Sequence, residues 1–329
     1  MIKRVIEISW QAVHLSVRHE QLIIQPVNET KALATTIPCE DVGVVCIDHP
    51  GVSYSHQAMM ALMRCGAAVV ICGKDHLPAG VMLPLSSHSE VLWRVNEQIN
   101  ASQPRKKQLW QQIVRAKVQR QARNLPEGSP AARMLRQLAQ EVKSGDKDNI
   151  EAQAARIYWS AWLDPHGCGD LLSSITTQQT ERLPTINTWR RNPDGLDPIN
   201  RMLNYGYAVM RAAIARALIC AGLFPTLSIF HRNRANAFAL ADDLVEPFRP
   251  LIDARVRHLY RTTSVSNLKL DQPVKAALLQ LLTHPVHWGE TTGPLMVSLH
   301  RLTASFSRCL RGESKTLTLP DWDPELPWT

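Results

Sequence analysis

The stretch Pro84-Leu-Ser-Ser-His-Ser-Glu90 separates two textures of sequence, and the fold class turns on it. Ahead of it lie short, β-branched, partly alternating runs: Arg4-Val-Ile-Glu-Ile-Ser-Trp10, His14-Leu-Ser-Val-Arg18 and Gln21-Leu-Ile-Ile-Gln25. A period of two is that of a strand with one buried face. Ile37-Pro38 leads into Asp41-Val-Gly-Val-Val-Cys-Ile47, apolar enough to be buried on both faces, and Ala68-Val-Val-Ile-Cys72 returns as a further strand. Between them His49-Pro-Gly-Val52 makes a turn, Ser55 can cap a helix through Ala58, Leu62 and Met63, and Gly66 ends it.

Beyond Glu90 the apolar spacing turns helical almost without a break to about residue 312. Within residues 105–120, Leu109, Ile113 and Val114 form one stripe, while Arg105, Lys106, Lys107, Arg115, Lys117 and Arg120 decorate the rest. Asn204 through Ala221 is a second amphipathic run, closed by Gly222. The Gly-, Thr- and Pro-rich interval 164–200 reads as a long loop. The expected fold class is α+β. An N-terminal β-rich, β-sandwich-like domain (1–85) and a linker (86–90) precede a larger all-α domain (91–316) and an extended tail (317–329).

Charge is distributed unevenly. Six lysines and arginines face eight acids up to residue 90, whereas thirty-one face twenty-one beyond it. A basic body with a near-neutral N-terminal part suggests that one domain meets a polyanion while the other meets protein. Seven cysteines show no CxxC pair and no zinc-ligand spacing, and most sit in apolar runs, as reduced thiols of a cytosolic protein do. No signal peptide opens the chain, and no apolar run approaches the roughly 18 residues of a membrane span. A cytoplasmic protein away from membranes is expected.

The residues with the most chemistry lie near His231-Arg-Asn-Arg234 and Asp242-Asp-Leu-Val-Glu246-Pro-Phe-Arg-Pro250. Asp243 and Glu246, three apart, share one face of a helix that Pro247 must kink or stop. His231 ends an apolar approach and is followed at once by Arg232 and Arg234. Glu151 stands in the first turn of another helix. Each has an ordinary structural reading: a hydrogen-bonded core histidine, a helix-dipole partner, a surface ion-pair cluster. Taken together they can also form a site for a hard divalent ion, since oxygen and imidazole donors without thiolates favour magnesium or manganese over zinc. Spacing alone leaves both open.

Three ordered stretches resemble one family: Gly145-Asp-Lys-Asp-Asn-Ile-Glu151-Ala-Gln-Ala-Ala155, Asn200-Arg-Met-Leu-Asn204-Tyr-Gly-Tyr207-Ala-Val-Met-Arg211, and His231 with the run 242–250. Ile37-Pro-Cys-Glu-Asp-Val-Gly-Val-Val45 and Leu319-Pro320 are similar to the same pattern, which thus spans nearly the whole chain. The family is the CRISPR-associated integrase, the metal-dependent nuclease of the spacer-acquisition (adaptation) machinery. Lys106-Lys-Gln-Leu-Trp110 resembles the version from type II systems, encoded beside a single large RNA-guided effector nuclease. Thr176-Thr-Gln-Gln-Thr-Glu181 has no counterpart in the pattern.

The resemblance implies that Glu151, His231 and Glu246 hold Mg2+ or Mn2+, with Asp243, Asn204 and Arg249 beside them. It implies joining of a short double-stranded DNA fragment to a repeat array, by attack of a 3′-hydroxyl on a phosphodiester. It implies a homodimer formed through the β-rich domain, a small ferredoxin-like partner in a heterohexamer, and help from the effector nuclease in choosing fragments. Arg211, Arg232, Arg234, Lys106, Lys107, Arg115 and Lys117 are the expected DNA contacts, with Arg255 and Arg257 nearby and a stacking role open to Tyr205 or Tyr207. Two other readings remain: a structure-selective nuclease for branched DNA in repair, and a catalytically silent DNA-binding scaffold.

Overall fold

The computed structural model describes residues 3–27, 33–85, 88–164, 189–263 and 268–323. Much of the expected loop 164–200, part of the linker, Cys168 and Trp328 lie outside them.

Strand β5 (Val42–Ile47) is buried at all six positions, as its unbroken apolar sequence predicts. It pairs in parallel with β1 (Arg4–Ile8) on one side and β7 (Ala68–Cys72) on the other. An antiparallel strand, β8 (Pro78–Met82), completes that sheet in the order β1-β5-β7-β8. A second four-stranded sheet runs in the order β4 (Thr35–Pro38), β3 (Gln21–Pro26), β2 (Val13–Arg18) and β6 (Ser53–Tyr54). The β2–β3 hairpin turns through His19 and Glu20, both with positive φ, the geometry of a two-residue turn matched to strand twist. Helix α1 (His56–Arg64) follows, its first turn capped where Ser55 accepts the amide of Ala58, and Gly66 leaves it at φ +72°.

Alternation on β5 explains how the two halves meet. Val45 and Ile47 join a core with Leu15, Leu22 and Leu62, beneath the second sheet and α1. Val44 and Cys46 face the other way and join the core of the helices. The first sheet is therefore a central layer with apolar packing on both faces. Close approach is built into it: a Cβ on Gly43 would sit 2.2 Å from the terminal methyl of Met296.

The helical part comprises α2 (Val91–Asn100), α3 (Gln103–Arg123), α4 (Pro130–Glu141), α5 (Ile150–Ala161), α6 (Pro198–Cys220), α7 (Ala239–Val245), α8 (Arg249–Thr262), α9 (Gln272–Leu279) and α10 (Leu295–Arg311). Helix α6 begins six residues ahead of Asn204, because Asp197 caps it by accepting the amide of Asn200. Pro247 interrupts the run after α7, giving a 3-10 turn at Glu246–Phe248 before α8 resumes. A short hairpin of β9 (Pro285–Trp288) and β10 (Thr291–Pro294) breaks the otherwise helical order. Its strands have four residues each, too short for their periodicity to be read. The tail returns to the body: Asp321 pairs with His287, and Trp322 is buried against Phe248 and Arg120. Among the described residues no helix is long and apolar enough to cross a membrane.

One buried ion pair ties strand to helix. Asp48, just past β5, meets the Lys275 ammonium of α9, and the Nδ1 of His76 stands 3.1 Å from its carboxylate. Asp48 and Lys275 are both almost wholly buried. Removing one member of such a pair strands the other charge in a medium that cannot solvate it. Lys275→Met is expected to lower unfolding free energy by about 3–5 kcal/mol, measured as the shift of a urea midpoint at pH 7. Asp48→Asn together with Lys275→Met should recover part of that loss.

Candidate active site

Lys117 lies on the face of α3 that also carries Trp110, Ile113 and Val114, and all four are buried. An ammonium in such a place needs counter-charge, and it finds two carboxylates. Its Nζ is 2.6 Å from Oε1 of Glu151 and 2.5 Å from Oε2 of Glu246. Glu151 stands in the first turn of α5, which Asp146 anchors by accepting the amides of Ile150 and Glu151. Glu246 opens the 3-10 turn imposed by Pro247, and Nε of Arg249 lies 2.9 Å from its other oxygen. Three separate helical elements thus deliver one lysine and two acids to a common point.

His231 is fixed from behind. Asp243 on α7 is fully buried, and its carboxylate accepts the amides of Ile229, Phe230 and His231 at 2.7, 3.1 and 3.2 Å. The same carboxylate lies 2.6 Å from Nδ1 of His231. This bracing shapes the loop before the imidazole and leaves Nε2 as the ring's outward nitrogen. Phe230 stacks on Trp110 with centroids 4.0 Å apart, and the His231 ring meets Trp110 edge-on at 5.5 Å. Helix α3 therefore supports the imidazole as well as the ammonium.

The charges are mutually stabilised. The hydrogen bond from His231 to the Asp243 carboxylate is the main cause that lifts the His231 pKa; burial opposes it, and Asp243, Glu246 and Glu151 add their fields. Burial alone would raise Glu246, yet Arg249 and Lys117 hold it at about 2. Burial likewise works against the Lys117 cation, but Glu246 and Glu151 outweigh it and its pKa rises. Beside this group lies a further acid with no motif to mark it. Asp253 on α8 is fully buried and accepts hydrogen bonds from the hydroxyls of Tyr158 and Tyr207. Burial pushes its carboxyl up to about 6. The Arg249 guanidinium covers the Tyr207 ring at 4.5 Å, joining this network to Glu246. An acid inside the apolar run Leu251-Ile252-Asp253-Ala254 is the signal for it. Close packing of α6 on α8 is needed here, since a Cβ on Gly206 would lie 2.5 Å from Ile252 Cγ2.

The expected DNA contacts divide. Arg232 and Arg234 are exposed beside His231, Lys107 is exposed and Lys106 half-buried on the first turns of α3. Lys117 is not a DNA contact: it is buried and occupied by Glu151 and Glu246, having been assigned to the polar side of a stripe that is in fact wider. Arg120, placed on the same side, is also buried and donates to the carbonyls of Pro247 and Pro320. Arg115 donates to the Ala139 and Val142 carbonyls at the end of α4, a capping role. Arg211 stands 3.6 Å from Asp242. Asn204 accepts from Arg191 and donates to the Pro193 carbonyl. Tyr205 and Tyr207 are both buried, so neither is available to stack on a base. Buried Arg255 and half-buried Arg257 donate to the Ala277 and Trp162 carbonyls.

Glu151 and Glu246 meet at one cationic centre, and both lie within electrostatic range of His231. Among the described residues, no three carboxylate, imidazole or thiolate side chains stand as a closed metal cage; an ammonium lies between the acids instead. The donor set nevertheless fits a divalent ion. Two carboxylates converge, and a third, Asp243, orients the imidazole from the far side, the usual support for a metal-binding histidine.

Comparison with known proteins adds family and fold. The family described as CRISPR associated protein Cas1 matches residues 7–281. The CRISPR-associated endonuclease Cas1 of Neisseria meningitidis serogroup C is 34% identical over 310 residues, 93% of this chain and 92% of that one. CRISPR-associated endonuclease Cas1 2 of Pyrobaculum aerophilum is 25% identical over 284 residues, 83% and 89% of the two chains. Among solved structures, a casposase bound to integration product superposes with TM-score 0.73 at 18% identity, over 98% of this chain and 95% of that one. A CAS1 protein from Thermotoga maritima gives 0.68 at 16% identity, over 94% and 97%. At these identities the structural likeness speaks for the fold: an N-terminal β part followed by a helical part.

Two measurements test the site's electrostatics. Replacing Lys117 with methionine strands Glu246 partly compensated, because Arg249 remains. A loss of about 3 kcal/mol is expected at neutral pH in chelator, read by chemical denaturation. Asp253 binds its proton more tightly folded than unfolded, so it lowers stability as pH rises from about 4 through about 6. Relative to Asp253→Asn, the native chain should lose about 3 kcal/mol across that window. Parallel stability–pH curves for the two proteins would show Asp253 to be unimportant.

Proposed function

The chain belongs to the CRISPR-associated Cas1 family, and from that premise we propose that it is a metal-dependent DNA integrase and endonuclease of spacer acquisition. The observation that carries this reading is the convergence of Glu151 and Glu246 on one cationic centre, beside an imidazole braced by Asp243. Relatives named as Cas1 endonucleases and a casposase bound to an integration product support the reaction class.

The reaction is a phosphodiester exchange. The 3′-oxygen of a DNA fragment bonds to phosphorus at the edge of a repeat, the bond from that phosphorus to the neighbouring 3′-oxygen breaks, and the proton passes from nucleophile to leaving group. Bond number is conserved, so no side-chain nucleophile is needed. Catalysis rests on holding the partners in line and offsetting the charge that grows on the phosphate. Mg2+ or Mn2+ held by Glu151, Glu246 and His231 would supply Lewis-acid polarisation. The chain's own residues supply the rest. Asp243 fixes the His231 ring so that Nε2 faces outward. Lys117 and Arg249 keep Glu246 ionised, Lys117 holds the two acids together, and it would give up part of its contact to a bound ion. Arg232 and Arg234, exposed on the loop beside His231, bind DNA phosphates without reading bases. Asn204 acts one step removed, through Arg191 and Tyr207.

The same reading carries expectations for assembly. A solved neighbour of this fold is a Cas6-RT-Cas1--Cas2 complex. By analogy we propose a homodimer joined through the β-rich part, flanking a small ferredoxin-like partner, with double-stranded DNA across the assembly and the effector nuclease helping to choose fragments. A bacterial cytoplasmic setting accords with that role.

Strand transfer into a supercoiled repeat plasmid, followed on a gel with manganese, magnesium or chelator, is the direct test. Glu151→Ala, His231→Ala and Glu246→Ala should each reduce joining by at least about 1,000-fold while duplex affinity changes by less than about threefold. Joining by purified Glu246→Ala at the native rate sinks the assignment. Separately, added Mn2+ should raise the melting temperature of Lys117→Met more than that of the native chain.

A further inference from the structure

Helix α10 carries no acidic residue in seventeen positions, and its exposed positions are Arg301, Ala304, Arg308 and Arg311. These fall on one face, at spacings of three, four and three residues. A solvated helix face ordinarily mixes charges of both signs. The last-turn pair, Arg308 and Arg311, can be read as partners of the helix dipole, but Arg301 lies in the second turn, where that effect has vanished. Arg301 and Arg308 have no carboxylate partner among the described residues; Arg301 donates to the Thr291 hydroxyl, and Arg311 pairs with Glu313.

The face borders a cleft of about 560 Å³ between α10, the start of α2 and the β9–β10 hairpin. Arg94 lines it from α2, paired with Glu90 and Glu97 and held by the Ser307 hydroxyl, and its buried Nε has no hydrogen-bond partner. Among the described residues no acidic residue lines the cleft. Two small residues of α10, Ala304 and Ser307, also line it. At 1.5 Å per residue, Arg301 and Arg308 are about 10 Å apart along α10, the rise of about three nucleotides on one DNA strand.

We propose that this arginine face and its cleft bind the phosphodiester backbone of a DNA duplex, at a second site sharing no residue with the Lys117–Glu151–Glu246 cluster. The proposal rests on the DNA strand-transfer reading above and extends it: duplex is held at two places on each chain, one for chemistry and one for anchoring. Either the incoming fragment or the target duplex can supply that backbone.

The test compares three proteins by fluorescence anisotropy over 50–300 mM salt: the native chain, Arg301→Gln/Arg308→Gln/Arg311→Gln, and a charge-matched control, Arg18→Gln/Lys74→Gln/Arg136→Gln. Each is titrated with an open-ended duplex and with a hairpin-capped duplex that has no free ends. The α10 variant should lose at least about tenfold in affinity, and the slope of log K against log salt should fall by about 2–3. The control should stay within about threefold of the native chain. A loss confined to the open-ended duplex assigns the face to the incoming fragment, and a loss for both assigns it to duplex in general. An α10 variant that matches the control in affinity and slope overturns the proposal while leaving the active-site reading intact. A native chain that binds neither duplex overturns both.

Discussion

A single ammonium organises the catalytic half of this protein. Two carboxylates from distant parts of the chain cannot share a dry site unless a cation lies between them, and Lys117 is that cation. Its presence explains why α3, α5 and the α7–α8 junction can meet there. It also explains how Glu246 stays ionised despite its burial, with Arg249 on its other side. The site is thus assembled by charge before any ligand enters. A divalent ion entering it would find an existing ring of counter-charges and compete with a tethered cation for the same oxygens.

Around that centre the protein uses carboxylates as scaffolding. Asp146 holds the start of α5, Asp243 holds the loop and ring of His231, and Asp253 gathers two tyrosine hydroxyls beneath Arg249. All three are buried and each accepts from more than one donor, which fixes the geometry around it, although Asp253 remains costly to ionise. Asp48 does comparable work at the junction with the sheet, where it receives Lys275.

The legible parts of the sequence were those with strong local signals. The buried run 42–47, the cap at Ser55, the stop at Gly66 and the interruption at Pro247 all depend on short-range chemistry, and each has its counterpart in the fold. The hairpin at 285–294 and the strand Pro78–Met82 are too short or too weakly patterned to announce themselves. Lys117 illustrates a deeper limit. A lysine on an amphipathic helix reads as solvent-facing unless its partners are known, and here they lie on two other helices. The family pattern predicts Asn204 beside the site, whereas its hydrogen bonds run to Arg191 and Pro193. The His231–Asp243 pairing, twelve residues apart, likewise needed the loop's actual path.

The stacking of Phe230 on Trp110 has a consequence for how order is lost. Trp110 and Lys117 are seven residues apart, two turns along one face of α3, so that helix carries both the support for the imidazole loop and the counter-ion of the acids. A rotation or slide of α3 displaces both at once. Partial states with the acids gathered but the imidazole astray, or the reverse, are therefore disfavoured by a shared rigid mount. Cutting capacity should disappear as a unit when the helix slips, leaving few half-built centres able to nick DNA indiscriminately.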